Sequence, residues 1–405
     1  MADDLELERN LMRGFPPPPE ARVTLANWRL PPFNRWSFHH VRQVVPTAAI
    51  YRGASAAPFG HDPHTIERVA FHGPDGTEWT IGRMLPATRT DGFLVLQRGR
   101  VVAEIYAGGQ RPETPHIVFS VSKSVTGSLA GVLVERGQLD PEAPVTKYVP
   151  EAADSAYGDC TVRHVLDMTV AIDFVEDYLD KTGDFARYRR ATAWNPEEPG
   201  AAPIDLRSFL VTLKRAAGPH GRKFYYVSPN SDMLGWILER ASGQPYPELL
   251  SDAIWRPMGA EFDAYVTVDR LGAPRSAGGV CTTLRDLARF GELMRRGGAA
   301  DGRQVISRSW VDDILTKGDP EAWTRGTGTD YLPTGRYRSK WYMTGNAHGA
   351  FCAIGIHDQW IYVDQEAEVV IAKQSSQPVP SDPQMDRLHL AAFDALARAL
   401  EGRSI

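Results

Sequence analysis

The sequence has few cysteines and no long apolar stretch. Its three cysteines, Cys160, Cys281 and Cys352, lie far apart in the chain, which argues against a disulfide framework and favours a reducing compartment. No run of about 18 apolar residues occurs, so we expect no membrane-spanning helix. The first residues, MADDLELERN, are acidic and lack the apolar segment of a signal peptide, so we expect a cytoplasmic location.

The sequence also has no excess of basic over acidic residues. The 45 lysines and arginines are outnumbered by 50 aspartates and glutamates, which gives a net charge of -5. Because no positive excess is available to bind phosphates, we expect no nucleic-acid partner. With 42% hydrophobic and 23% charged residues, the composition is typical of a soluble globular protein. The length of 405 residues allows about two or three domains.

Motifs for metals and nucleotides are missing as well. His39 and His40 are adjacent, so they face different directions, and no cysteine or acidic partner stands at ligand spacing. His61 and His64 flank an Asp-Pro turn signal. No glycine-rich phosphate loop occurs. We therefore expect neither a metal ion nor a cofactor.

Strand-forming segments lie near both ends of the chain. Residues 92–107 contain two β-rich runs joined by Arg98-Gly99-Arg100, which predicts a hairpin. Residues 351–374 predict two or three further antiparallel strands, and residues 386–402 predict an amphipathic helix. The intervening chain favours helix and loop. This order predicts an α+β fold in which both ends of the chain build one antiparallel sheet flanked by helices.

The same order predicts the domain organisation. Residues 1–24, which include a run of four prolines, are expected to form an extended N-terminal arm. Residues 25–115 and 300–405 are expected to build an α/β domain, and residues 116–299 an inserted, mainly helical domain. We expect an active site at the seam between the two.

The stretch HIVFSVSKSVTGSLAGVLVERG, residues 116–137, has apolar residues at helical spacing. Gly137 suits the left-handed position that ends a helix. Ser120 and Lys123 are three residues apart and would share one face. The other faces carry many small residues, which favours burial, and burial lowers the pKa of a lysine so that it can act as a base. The pair indicates a serine nucleophile with a lysine base, although a chain of this composition can also contain such a pair by chance.

Two further segments can supply partners for this pair. Residues 221–243 place Tyr226 and Ser228 in a loop before a predicted helix. A tyrosine hydroxyl there can carry protons between nucleophile and leaving group, and a packing role for Tyr226 is the alternative. Gly355-Ile356-His357 lies on a predicted strand that can offer a backbone amide to a substrate oxygen. The competing Gly-x-Ser-x-Gly signature of other serine hydrolases does not occur.

In this order, Ser120-x-x-Lys123, Tyr226-x-Ser228 and Gly355-Ile356-His357 resemble the three motifs of serine β-lactamases, DD-peptidases and related esterases. A closer resemblance, to the 6-aminohexanoate-dimer hydrolases of that superfamily, extends over most of the chain. It rests on the segments PPFNRWSFHH, FSVSKSVTG, VLDMTVAIDFVEDYLD, YVSPNSDMLGW, GGVCTTLRDLAR and AIGIHDQ. The resemblance implies a β-lactamase/DD-peptidase-like fold, with the active site between an α/β part and a helical part.

The resemblance also implies roles for individual residues. Ser120 would be the acylated nucleophile, and Lys123 and Tyr226 would move its proton. The amides of Ser120 and Ile356 would form the oxyanion hole. Tyr178 matches a tyrosine that contacts the substrate amide in the family, and Trp194 stands where the family has a mobile-loop tryptophan. The implied substrate contacts are therefore Tyr178, Ser228, Trp194 and His357.

The chain departs from the family pattern at two positions. The aspartate and asparagine that favour the nylon dimer are not evident, and Arg189 and Ala277 stand at the corresponding positions. We therefore expect little cleavage of the nylon dimer but retained esterase activity.

These observations predict an acyl-transfer hydrolase that cleaves small carboxylic esters through a covalent acyl-enzyme on Ser120, with linear amides kept as a second substrate class. A β-lactamase or D-Ala-directed peptidase is the nearest alternative, and the expected cytoplasmic location argues against it. A non-catalytic binding protein on the same fold is an alternative of another class. The expected partner is a small-molecule ester or amide. The natural substrate and the oligomeric state, a homodimer included, stay open.

Overall fold

The structure, a computed structural model, describes residues 7–329 and 332–401. The strands are, in chain order, β1 Thr47–Ile50, β2 Gly60–His61, β3 Ala70–His72, β4 Glu78–Thr80, β5 Thr90–Gln97, β6 Arg100–Tyr106, β7 His116–Ile117, β8 Ile172–Asp173, β9 Lys214–Arg215, β10 Ala264–Thr267, β11 Val280–Thr282, β12 Ala299–Ala300, β13 Arg303–Gln304, β14 Arg336–Arg338, β15 Trp341–Met343, β16 Phe351–Gly355, β17 Gln359–Asp364 and β18 Val369–Ser375. The helices are α1 Asn34–Ser37, α2 Ile81–Ala87, α3 Val121–Glu135, α4 Val162–Leu166, α5 Asp184–Ala191, α6 Leu206–Leu210, α7 Pro229–Ser242, α8 Tyr246–Leu250, α9 Leu284–Arg295, α10 Arg308–Thr316, α11 Pro320–Thr324 and α12 Pro383–Glu401.

One large sheet is built from both ends of the chain. Its strand order is β14-β15-β16-β17-β18-β5-β6-β2, and every pair except β2 with β6 is antiparallel. The C-terminal strand β18 pairs with the N-terminal hairpin strand β5, with Ala372 opposite Leu94. The predicted hairpin and the predicted C-terminal strands are therefore confirmed, and so is the α+β fold class.

Both faces of this sheet are covered by other elements. Successive side chains of a strand point to opposite sides, so each central strand contributes to two hydrophobic cores. On β5, Leu94 and Leu96 join the core shared with the helical part, whereas Phe93 and Val95 join a second core beneath the C-terminal helix. That helix, α12, matches the predicted amphipathic segment within three residues at its start and one at its end.

A second, smaller sheet of the order β1-β10-β11-β7 leads the chain into the candidate site. Its edge strand β7 pairs with β11, with Ile117 opposite Cys281, and ends three residues before Ser120. The predicted 116–137 segment is thus a strand and a turn followed by a helix, and the helix proper begins at Val121. Its end agrees with the prediction, since Gly137 follows it with a φ of 69°.

Helix α3 is buried from Val121 to Leu133, and its small residues let other elements approach closely. A Cβ atom on Gly127 would lie 2.2 Å from the carbonyl oxygen of Ser339, and one on Gly131 would lie 2.3 Å from the Trp310 ring. Alanine at either position would therefore collide with its neighbour. This packing fixes the helix, and with it the position of Lys123.

The proposed domain boundaries stay a prediction. Within the range 116–299, helix α9 packs on β17 and β18 of the large sheet. Residues 1–6 of the predicted N-terminal arm lie outside the described residues, while Leu11 and Ala21 are buried. Within the described ranges, every helix is too short or too polar to serve as a membrane span.

Candidate active site

Ser120 sits at the turn between strand β7 and helix α3. The preceding residue, Phe119, has a φ of 41°, in the left-handed region that non-glycine residues rarely adopt. Its ring is held edge-on against Phe38 and Trp194, which stabilises this backbone. The turn therefore presents Ser120 at a fixed position at the start of the helix.

Lys123 lies one helical turn further on and faces Ser120, as predicted. Its Nζ is 2.7 Å from Ser120 Oγ and 2.8 Å from the carbonyl oxygen of Ala277. Burial lowers the pKa of Lys123 to about 7; the carboxylate of Glu176 partly opposes this effect, and Arg275 adds to it. Near neutral pH a large share of this amine is therefore uncharged and can accept the proton of Ser120.

Tyr226 is brought to the same place from the loop before helix α7. Its hydroxyl lies close enough to Ser120 and to Tyr342 for both to act on its pKa, and its ring centroid is 5.0 Å from Lys123 Nζ. Burial raises the pKa of Tyr226 above its usual range, so the phenol stays protonated. Of the two candidates, Lys123 is therefore the better base, and Tyr226 suits the role of a relay.

The predicted oxyanion residues lie side by side. Strand β16 ends at Gly355, where a Cβ atom would be only 2.6 Å from the carbonyl oxygen of Val118. The absence of a side chain there lets the strand end lie against the turn that carries Ser120. Ile356 follows directly. Together with Ser120 it borders two adjoining cavities, a large one of about 390 Å³ and a small one of about 20 Å³.

His357 lies behind the site rather than in it. The side chain is buried, its Nδ1 is 2.6 Å from the carbonyl oxygen of Gln377, and its ring packs on Phe38 and Phe119. It borders neither cavity. The structure thus gives His357 a supporting position behind the cavities, and its contact with a substrate stays a prediction.

Tyr178 and Ser228 meet at a residue that the sequence reasoning missed. Glu176 Oε1 accepts hydrogen bonds from the Tyr178 hydroxyl at 2.8 Å and from the Ser228 hydroxyl at 2.7 Å. The backbone N–H of Ser228 donates to the other oxygen of Glu176. Both predicted contacts border the small cavity, with their hydroxyls already bound to this carboxylate. The only sequence signal for Glu176 was its place two residues before Tyr178.

Trp194 forms one wall of the small cavity. The side chain is 4% exposed, its indole N–H donates to Thr267 Oγ1 at 3.0 Å, and its ring lies edge-on against Trp28 at 5.3 Å. In this conformation the tryptophan is part of a packed aromatic cluster.

Two cavities meet at Ser120. The larger has a volume of about 390 Å³ and is lined mainly by aromatic and apolar side chains, among them Phe224, Tyr225, Tyr226, Trp323, Leu332 and Tyr342. This is the size and character of a small-molecule site. The smaller, of about 20 Å³, is bordered by Arg29, Arg189 and Arg275.

Asp232, on helix α7, binds the loop that carries Arg275 and Ala277 beside the small cavity. This residue was not identified from the sequence either. Its buried carboxylate accepts hydrogen bonds from the Ala277 N–H at 2.7 Å, from Arg275 and from the Tyr188 hydroxyl. These bonds hold the Ala277 carbonyl where Lys123 binds it. Ala277 therefore contributes through its backbone, which residue-type reasoning cannot detect.

Among the residues that the structure describes, two groups of side chains outside this site have the spacing of metal ligands. They are His39 with Asp91 and His116, and His348 with Glu366 and Glu401. Arg35 already pairs with Asp91 in the first group, and neither group borders the two cavities. The expectation that no metal or cofactor takes part stays a prediction.

Comparisons with known proteins agree with this geometry. A sequence model of the beta-lactamase family matches residues 85–395. A 6-aminohexanoate-dimer hydrolase from Paenarthrobacter ureafaciens is 38% identical over 387 residues, which cover 96% of each chain. Esterase EstB from Burkholderia gladioli is 28% identical over 190 residues, or 44% of this chain and 45% of the esterase.

A solved structure is similar over nearly the whole chain. It is named "Putative 6-aminohexanoate-dimer hydrolase from Bacillus anthracis" and superimposes with a TM-score of 0.87 at 26% identity, covering 95% of this chain and 98% of the other. The similarity therefore extends over both the sheet and the helical part.

Proposed function

The chain belongs to the beta-lactamase family and, within it, to the 6-aminohexanoate-dimer hydrolase group, and from this premise of a serine hydrolase we propose that it cleaves small carboxylic esters and linear amides through an acyl-enzyme on Ser120. One observation carries the proposal. The amine of Lys123 is 2.7 Å from Ser120 Oγ, and its pKa is lowered to about 7. A partly buried serine hydroxyl beside an uncharged amine has the base that a nucleophile requires.

In the proposed acylation, neutral Lys123 accepts the proton of Ser120 while Oγ attacks the carbonyl carbon. The N–H groups of Ser120 and Ile356 stabilise the negative charge that develops on the carbonyl oxygen. The proton then passes from Lys123 through the hydroxyl of Tyr226 to the leaving oxygen or nitrogen as its bond to the carbonyl carbon breaks. Water attacks the acyl-enzyme by the same route in reverse, which releases the acid and returns the proton to Ser120.

Both substrate classes have support. The relatives are named for amide and for ester substrates, and the large cavity offers mainly apolar walls to a leaving group. Ala277 has no side chain that can hydrogen-bond a substrate, and Arg189 brings a positive charge to the small cavity. We therefore rank small esters above the nylon dimer, whose acyl part ends in a positively charged amine.

The test compares Ser120→Ala with wild type on 4-nitrophenyl butyrate, a linear amide and nitrocefin. Loss of the nucleophile should reduce kcat/KM for the ester by at least about 1,000-fold. Ser124→Ala is the matched control, because the hydroxyl of Ser124 donates to the carbonyl oxygen of Lys340 at 2.7 Å and takes no part in the proposed steps. A Ser120→Ala enzyme that keeps its ester rate would overturn the proposal, and nitrocefin turnover as fast as ester turnover would favour a β-lactamase instead.

A further inference from the structure

Three guanidinium groups meet at the small cavity beside Ser120. Arg29 comes from the N-terminal segment, Arg189 from helix α5 and Arg275 from the loop before β11. Side chains so distant in sequence converge only through the fold. The cavity of about 20 Å³ has room for a group about the size of one water molecule or a carboxylate oxygen.

The positive charge at this place is only partly balanced. Arg275 pairs with Asp232, but within the described part of the chain neither Arg29 nor Arg189 has a carboxylate within salt-bridge distance. Arg189 donates to the backbone carbonyl of Tyr178, and Arg29 donates to the side-chain oxygen of Asn195. Both thus bind neutral oxygens, whose hydrogen bonds are weaker than those of a carboxylate.

Unused donors support the same conclusion. The Nε atoms of Arg29 and Arg275 are buried and have no hydrogen-bond partner among the residues described. Burial lowers the pKa of Arg29, and the nearby charges of Arg189 and Arg275 lower it further. Two further carboxylates act on Arg189, those of Glu176 and Asp180. Glu176 is bound by Tyr178 and Ser228, and Asp180 accepts hydrogen bonds from the backbone N–H groups of Thr182 and Gly183. An added anion at the small cavity would relieve the repulsion among the three arginines, in a region that already has unpaired donors.

The two cavities receive different parts of a substrate. Tyr226, the proposed route of the proton to the leaving group, borders the large cavity and is not part of the small one. The leaving group should therefore occupy the large cavity. The acyl chain is left to extend towards the arginines.

Building on the proposed function, we propose that the small cavity is a subsite for one oxygen of a carboxylate at the end of the substrate's acyl part, and that the rest of the acyl chain lies between Ser120 and this cavity. The preferred substrates are then half-esters or half-amides of short dicarboxylic acids, and Arg189 is a specificity-determining residue. Hydrolysis of such a half-ester adds water across the ester bond and yields the free dicarboxylate and an alcohol.

The test uses three esters that differ in whether they carry a carboxylate and in which part of the molecule carries it. Monoethyl glutarate carries a carboxylate on the acyl part, ethyl glutaramate is its neutral isostere, and 3-carboxypropyl butyrate carries the carboxylate on the alcohol part. The wild type should prefer monoethyl glutarate to ethyl glutaramate by at least about tenfold in kcat/KM, as expected for a hydrogen bond to a charged group. Equal rates, or a preference for 3-carboxypropyl butyrate, would overturn the inference.

Variants assign the preference to the arginine cluster. Arg189→Met should bring the ratio of the two acyl-part substrates close to one, and Arg189→Lys should restore part of it because it keeps the charge. Arg187→Met is the matched control on the same helix; Arg187 is exposed and pairs with Asp184 at 2.9 Å, so its ratio should equal that of wild type. A ratio that survives Arg189→Met in a folded protein would refute the role of Arg189.

A binding measurement separates this inference from the proposed function. Glutarate should bind to Ser120→Ala by calorimetry at least about tenfold more tightly than its neutral diamide, glutaramide, and Arg189→Met in that background should remove the difference. If the esters are not cleaved but glutarate binds in this way, the acyl-enzyme proposal fails and the carboxylate subsite stands. If the esters are cleaved at equal rates and glutarate binds no more tightly than the neutral ligand, the carboxylate subsite fails and the acyl-enzyme proposal stands.

Discussion

Replacing Lys123 with methionine should abolish catalysis and yet stabilise the protein at neutral pH. The side chain is 1% exposed, and burial lowers its pKa to about 7, against about 10.4 for an unperturbed lysine. Each unit of pKa difference between the folded and unfolded states corresponds to about 1.4 kcal/mol. The buried ammonium therefore reduces the free energy of unfolding by about 4 to 5 kcal/mol at pH 7 and below.

The lowered pKa also fixes how this penalty depends on pH. The unfolded chain protonates Lys123 below about pH 10, whereas the folded chain protonates it only below about pH 7. Stability is therefore lost as the pH falls through this window and does not fall further below it. The penalty that remains is about 2 kcal/mol at pH 9 and about 1 kcal/mol at pH 10.

Methionine removes the penalty but also removes two hydrogen bonds. These join Nζ to Ser120 Oγ and to the Ala277 carbonyl oxygen, and each is worth about 1 kcal/mol. Lys123→Met should therefore be more stable than wild type by about 2 kcal/mol at pH 7, equal to it near pH 9, and less stable by about 1 kcal/mol at pH 10. The kcat/KM for 4-nitrophenyl butyrate should fall by at least about 1,000-fold.

Urea unfolding followed by tryptophan fluorescence at the three pH values measures the stability difference between Lys123→Met and wild type, and so its sign at each pH. A stability difference of the same sign at all three values would refute the assignment of Lys123 as a buried amine with a lowered pKa. Lys147, which is exposed, provides the control. Lys147→Met should change the free energy of unfolding by less than about 0.5 kcal/mol at every pH.

Two further substitutions test the electrostatics and the packing around the site. Glu176→Gln removes the carboxylate that raises the pKa of Lys123, so the acidic limb of the pH profile of kcat/KM should move below its wild-type midpoint near pH 7; a limb that stays in place would contradict this coupling. Gly131→Ala puts a Cβ atom 2.3 Å from the Trp310 ring and should lower the free energy of unfolding by about 1 to 3 kcal/mol. An unchanged urea midpoint would show that the indole moves aside at no cost.

Local patterns in the sequence predicted the Ser-Lys helix and the large sheet well. Apolar periodicity and small residues identified the Ser-Lys helix, and two groups of strand-forming segments indicated a sheet built from both ends. The start of the helix was predicted too early because residues 116–120 contain apolar residues that suit a strand as well as a helix. In the fold, Ile117 pairs with Cys281 of strand β11, a partner more than 150 residues away that no local pattern reveals.

What the sequence determined by itself was the order of the chemical groups. Ser120 and Lys123 share a helix face whatever surrounds them, since a separation of three residues is nearly one helical turn. Tyr226 and Ile356 could be named because the order of the motifs resembles that of a known superfamily. Only the fold brings the loop before α7 and the end of β16 to the cavity that Ser120 borders, and the catalytic roles of Tyr226 and Ile356 stay a prediction.

Only the tertiary structure decided the electrical character of the site. Whether a lysine is a base depends on its burial, and here burial comes from packing that holds Lys123 at 1% exposure. Asp232 acts through the Ala277 backbone, and Glu176 binds the hydroxyls of two predicted substrate contacts. Arg29 and Arg275 are separated by more than 240 residues and meet at one cavity. Charge interactions depend on distance in space and on exclusion of water, and only the fold sets these quantities.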